Sequence, residues 1–147
     1  MNRLVIYADG ACEGNPGPGG FAAIIEGEGE SREIVGSDPH TTNNRMELMA
    51  VIRALESLPE RVQVRVVTDS QYVVLGMTEW IHAWQRKQWK TASGRPVKNK
   101  DLWTRLLALA NKRRVGWEWI RGHSGHPQNE RVDRLAKEAI SNLKQQR

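Results

Sequence analysis

Only one cysteine, Cys12, occurs in the 147 residues. That scarcity excludes an intrachain disulfide and a multi-cysteine zinc site, and it fits a reducing compartment with the cytoplasm as the default location. Long hydrophobic runs are missing too, since no stretch nears the roughly 20 apolar residues of a membrane-spanning helix. The opening residues, MNRLVIYADG, meet an acidic side chain before an extended apolar segment develops, so they read as a strand rather than a secretion signal. No internal repeat is present.

The rest is ordinary for a globular protein: 39% hydrophobic and 27% charged residues, which excludes wholesale disorder. The length suits one domain over residues 1–147, and monomer is the default oligomeric state. Lysine and arginine outnumber aspartate and glutamate by 22 to 17, a formal net charge of +5. Such a balance favours polyanions but does not separate nucleic acid from acidic protein or lipid headgroups.

Residues 4–8 form an apolar, partly β-branched run that ends at Asp9 and Gly10, and the GNPGPGG string that follows after three more residues reads as a loop. Strands are expected at 21–25 and 32–35, with EGEGE turning between them, as in an antiparallel meander. From Asn43 the period changes. Leu48, Val51, Ile52 and Leu55 mark an amphipathic helix that ends before Pro59, with Thr42 and Asn43 as cap candidates. A valine-rich strand at 62–68 leads through Asp69 and Ser70, read as caps, into a short helix at 72–75.

A helix is expected at 79–89, then a basic loop, then a helix striped by Leu102, Leu106 and Leu109. A strand at 115–120, a loop at 121–126 and a helix at 127–143 complete the order βββαβααα, then β and α. Hairpins make the first three strands antiparallel and helical crossovers permit parallel pairing later, which predicts an α/β sandwich on a mixed sheet.

Four carboxylates stand where a carboxylate is structurally awkward: Asp9 and Asp69 at strand ends, Glu47 in the first turn of its helix, and Asp133 on the last helix. Glu47 shares a stripe with Val51, Ala54 and Leu58, and Asp133 shares one with Ala136 and Ile140, so both border packed faces. Gathering several carboxylates out of water is unfavourable without a cation. An all-oxygen donor set selects hard ions, Mg²⁺ or Mn²⁺ ahead of zinc or copper. Each residue also has a purely structural reading: helix dipole for Glu47 and Asp69, turn for Asp9, solvated charge beside Arg134 for Asp133.

Four strings complete the picture: DGAC with GNPGPGG, TTNNRMEL around Glu47, TDSQYV around Asp69, and RGHSGHPQNERVDRLA around His123 and Asp133. Together, in this order along almost the whole chain, they resemble bacterial ribonuclease HI. The resemblance implies a ribonuclease H-like fold with a mixed five-stranded sheet flanked by helices. It also implies an endonuclease that hydrolyses the RNA strand of an RNA/DNA hybrid, leaving 5′-phosphate and 3′-hydroxyl ends. Asp9, Glu47, Asp69 and Asp133 would form the carboxylate cluster, with one or two Mg²⁺ ions, and Mn²⁺ as a substitute. Two such ions roughly 4 Å apart would clamp the scissile phosphate for in-line attack by water.

His123 would assist from a glycine-flanked loop, since histidine titrates close to neutrality. His40, His82 and His126 carry no such motif and read as surface histidines. Asn15, Asn43, Asn44 and Gln71 would reach the minor groove and its 2′-hydroxyls, although capping competes for Asn43 and Asn44. Cys12 would lie near the hybrid, or serve as a small buried thiol. The segment 80–100 looks like the family's basic protrusion. Its Trp80, Trp84, Arg86, Lys87, Lys90 and Lys98 would contact the DNA strand, unless the tryptophans only join helices.

Two positions depart from the family pattern: Ala8 stands where a hydroxyl residue is common, and Arg86 where lysine is. No separate hybrid-binding domain precedes these motifs, so affinity is expected from this domain alone. Integrases, transposases and resolvases also place carboxylate clusters on related scaffolds, and a non-catalytic nucleic-acid-binding module is the other rival. NNRMEL, GHPQNE and the basic segment favour the ribonuclease.

Overall fold

Five strands in the order β3-β2-β1-β4-β5 form one sheet in the computed structural model, which describes residues 3–145. β1 (Arg3–Cys12), β2 (Gly17–Gly27) and β3 (Glu30–Thr41) make an antiparallel meander. β4 (Gln63–Thr68) joins the other edge of β1 in parallel, and β5 (Arg114–Trp119) joins β4, also in parallel. The crossover that parallel pairing of β4 and β5 requires is helical. It comprises α2 (Gln71–Leu75), a π-helical turn (Gly76–Trp80), α3 (Ile81–Arg86) and α4 (Lys100–Asn111). α1 (Asn43–Glu56) links β3 to β4, and α5 (Pro127–Gln145) follows β5.

The sheet separates two cores. On one face Ile6, Ala8, Ala23, Val64 and Val66 pack with Leu48, Val51, Ile52 and Leu55 of α1 and with Trp103 and Leu106 of α4. On the other, Ala22 and Ile24 meet Val132 and Ala136 of α5. β2 lies beneath helices on both faces, so residues 19–25 are continuously buried instead of alternating. Each fully buried leucine or isoleucine here contributes about 2 kcal/mol of transfer free energy. Among the described residues no helix is long and apolar enough to cross a membrane.

Several boundaries differ from the sequence expectation. β1 runs on to Cys12, so Asp9 lies inside the strand, paired with Ala22, and not at its end. Four of the seven residues of the GNPGPGG string, 17–20, are strand as well. Gly19 and Gly20 pair with Cys12 and Ala11, because glycine is what the helices crossing there tolerate: a Cβ on Gly20 would sit 2.3 Å from the Ala136 carbonyl oxygen of α5.

The helix expected at 79–89 instead continues from α2 through the π-helical turn and stops at Arg86. Gly76 opens that turn against the Trp103 ring, where a Cβ would lie 2.0 Å from the indole. Beyond Arg86, Gln88 and Trp89 adopt left-handed backbone, at φ 54° and 62°, and the Trp89 N–H donates to the Trp84 carbonyl at 2.7 Å. The chain thereby folds Trp89 back onto the helix it was expected to extend.

Candidate active site

Asp9, Glu47 and Asp69 each present a carboxylate oxygen such that all three atoms lie within 4.8 Å of one another. Asp9 enters from the middle of β1, where only 5% of its surface is exposed. Gly10 beside it is what lets α1 come so near, since a Cβ there would stand 2.4 Å from the Glu47 backbone nitrogen. Glu47 lies just past the first turn of α1, whose first turn holds no acidic residue. The helix-dipole explanation for Glu47 is therefore weak.

The cap of α1 is Thr42, whose hydroxyl accepts from the Arg45 N–H at 3.3 Å. Neither Asn43 nor Asn44 is the cap. At the end of β4 the capping task falls to Ser70, which accepts from the Val73 N–H at 3.1 Å. Asp69 is thus not a cap, and its carboxylate remains available to the cluster.

Asp9 is pushed up to about 8, chiefly by burial and then by the like charges of Asp69 and Asp133, while the Gly10 N–H donating at 2.9 Å opposes the rise. Asp133 comes near enough to Asp9 to share a hydrogen bond when one of the two is protonated. It stands outside the trio that could share one ion, and Lys137 contacts it at 3.0 Å, one turn along α5. Glu47 is raised to about 7, mainly by burial; the Ser70 side chain opposes this and Asp69 adds to it. Adjoining carboxyls that resist ionisation, with oxygen donors only, suit a hard divalent cation.

His123 sits in the loop after β5, exposed and at φ 56°, and is not in the trio. Its neighbour Gly122 abuts Asp69, for a Cβ there would lie 2.8 Å from Asp69 Oδ2. Asn15 Oδ1 accepts from the Asn43 N–H at 2.8 Å, joining the loop after β1 to the start of α1, and Gln71 is exposed as the first residue of α2. The Cys12 thiol is half-buried and reaches the Thr41 carbonyl at 3.3 Å; burial above all raises its pKa.

In the basic segment Trp84 packs within 5.2 to 6.0 Å of Trp103, Trp80 and Trp89. Trp80 is 37% exposed. Arg86, Lys87, Lys90 and Lys98 are all exposed, and none forms an ion pair among the described residues. Val97 is buried beneath them and the Lys90–Pro96 bridge closes the loop, so the cations stand on an ordered base.

Three contacts at the site escape sequence reasoning. The Trp119 indole donates to the Asp69 carbonyl at 3.0 Å, Asn129 Nδ2 donates to Asp69 Oδ2 at 3.4 Å, and His126 packs on Tyr7 with ring centroids 5.4 Å apart. The HPQN portion of the last motif was the available signal. His126 is accordingly no idle surface histidine, for its Nδ1 accepts from the Asn129 N–H at 3.3 Å.

The chain is 54% identical over 145 residues to the ribonuclease H of Aromatoleum aromaticum, covering 99% of this chain and 95% of that protein. With the ribonuclease H of Syntrophotalea carbinolica it shares 56% identity over 140 residues, 95% of this chain and 92% of the relative. Among solved structures it resembles LC9-RNase H1, a type 1 RNase H with the type 2 active-site motif, at a TM-score of 0.85 and 40% identity over 95% of this chain and 72% of the other. LC11-RNase H1 in complex with an RNA/DNA hybrid matches at a TM-score of 0.72 and 28% identity, over 95% and 98% of the two chains. The RNase H family model matches residues 1–141. With its sheet order, its carboxylate trio and a match over nearly its entire length, this chain belongs to the ribonuclease H family.

Proposed function

We propose that this protein hydrolyses the RNA strand of RNA/DNA hybrids, leaving 5′-phosphate and 3′-hydroxyl ends, in the cytoplasm. The observation that carries the reading is the convergence of Asp9, Glu47 and Asp69 within 4.8 Å in a chain of this family. LC11-RNase H1, of the same fold, has been solved with such a hybrid.

The trio would hold Mg²⁺, or Mn²⁺ in its place, with Asp133 completing the cluster beside Asp9. Bound divalent cation supplies positive charge at the scissile phosphate and activates water for in-line attack. The carboxyls themselves set when the site can load. Asp9 and Glu47 hold protons up to about 8 and about 7, so protons compete with the cation and loading strengthens as pH rises through that range. His123, exposed on its loop beside Gly122, would accept or return a proton near the leaving group.

Asn15, Asn43, Asn44 and Gln71 would read the hybrid's minor groove, where amides can pair with 2′-hydroxyls that DNA lacks. The hydrogen bond between Asn15 and the Asn43 backbone makes two of these groups one unit. Arg86, Lys87, Lys90 and Lys98 would neutralise phosphates of the DNA strand, with Trp80 offering a flat contact and Trp84 anchoring the helix beneath. Cys12 would border the groove.

The test compares labelled RNA/DNA hybrid with matched dsDNA and dsRNA, in Mg²⁺ and in EDTA, for wild type and Asp9→Asn. Expected are hybrid cleavage only, in Mg²⁺ only, its near loss in Asp9→Asn, and retained hybrid binding by that variant. Cleavage confined to dsDNA overturns the reading in favour of a DNA nuclease.

A further inference from the structure

Asn129 has no part in the proposed chemistry, yet it is only 3% exposed. A side-chain amide so deeply buried is kept where it has partners, because an unpaired one forfeits its hydration. Its Nδ2 donates to Asp69 Oδ2 at 3.4 Å. Gly122 approaches the same oxygen so closely that a Cβ would lie 2.8 Å from Oδ2. Asp69 Oδ2 thus has both a glycine and an amide against it, and the residue's backbone carbonyl is held separately by the Trp119 indole at 3.0 Å.

The amide is itself held in place. Asn129 is the third residue of α5, its N–H donates to His126 Nδ1 at 3.3 Å, and the His126 ring rests on Tyr7 of β1. Asp133 follows four residues later, one turn further along the same helical face. One helix face therefore offers a neutral donor to Asp69 and a carboxylate to Asp9. A neutral amide suits this place because it satisfies a carboxylate oxygen without adding a charge to a crowded acidic cluster.

We propose that Asn129 is a positioning residue for the metal centre: from the helix that also carries Asp133, its amide fixes the orientation of the Asp69 carboxylate at the end of β4. The proposal rests on the reading that the carboxylates bind a divalent cation. Outer partners that orient ligand carboxylates typically change metal affinity by about 10- to 100-fold.

The experiment measures Mn²⁺ binding to the substrate-free protein by titration calorimetry, alongside thermal unfolding, for wild type, Asn129→Leu and Asn129→Ser. Leucine keeps the branched outline of asparagine and removes the donor but adds bulk, whereas serine withdraws the donor without adding bulk, so the two variants separate loss of orientation from overpacking. Expected is a Kd for Mn²⁺ raised at least about tenfold in each variant that still unfolds cooperatively above the titration temperature. Should the leucine variant not fold, Asn129→Ser is read the same way.

An unchanged Mn²⁺ affinity in a folded variant overturns the proposal and leaves Asn129 a packing residue. Failure of wild type to bind Mn²⁺ is a different result. It overturns the metal reading itself, and the positioning role with it.

Discussion

The carboxylate cluster and the basic protrusion are assembled in opposite ways. Asp9, Glu47 and Asp69 come from β1, α1 and the end of β4, and meet only because the sheet and the close approach of α1 at Gly10 bring them within 4.8 Å. The protrusion is one contiguous stretch, held by the Trp84 cluster and a short bridged loop, with its cations in solvent. A site for a hard cation requires several anions forced together and partly dehydrated, a cooperative and destabilising arrangement. A surface for phosphates requires only exposed charge, and its contributions add one at a time and weaken with salt. Substitutions should therefore act all-or-none in the first region and by increments in the second.

The sharpest break in this contrast is Asp9→Asn. Hybrid cleavage falls to background, while the metal-free variant unfolds at a higher temperature than wild type above neutral pH, where the native fold would otherwise ionise a buried acid. A lower Tm for the variant under those conditions would falsify the claim that the cluster is strained. Gly10→Ala comes next. Its Cβ would stand 2.4 Å from the α1 backbone, so overpacking lowers stability by about 1–3 kcal/mol in urea titration and pushes Glu47 out of the site. Full activity in that variant would show that the trio tolerates slack.

The same burial makes stability depend on pH. In the metal-free native protein Asp9 and Glu47 keep protons up to about 8 and about 7, whereas the unfolded chain releases them near the ordinary values of 3.8 and 4.5. The native state holds more protons between those limits, so stability declines as pH rises across that window. Urea midpoints in EDTA should fall between about pH 5 and about pH 8, and less steeply in Asp9→Asn. A midpoint that climbs with pH contradicts the assignment.

The smallest change is expected in the other region. Lys87→Ala with Lys90→Ala should weaken hybrid binding modestly and reduce the slope of log K against log salt by about two, roughly one per lost phosphate contact. Fold, Mn²⁺ affinity and turnover of saturating hybrid stay as they were. An unaltered slope would remove these lysines from the interface.

Element order was legible in the sequence because hydrophobic period is local: Leu48, Val51, Ile52 and Leu55 mark α1 whatever else the chain does, and all four are fully buried. Element ends were less legible. The glycine-rich half of β2 reads as loop since its extended form depends on α5 and β1 lying alongside, and the break after Arg86 depends on Trp89 finding Trp84. The site was visible as motifs around each acidic residue, but Asn129, His126 and Trp119 gained their roles from contacts made across the sheet.

By itself the sequence determined the periods, the turns, the oxygen-only donor set and the unbroken positive charge of residues 80–100, all properties carried by neighbouring residues. Tertiary structure alone decided that Asp9 lies within a strand and that Asp133 stands beside Asp9 but outside the trio. The reason is distance along the chain. Whether carboxylates far apart in sequence share one point depends on strand register and on how closely α1 and α5 approach the sheet, which Gly10 and Gly20 permit only in the folded arrangement.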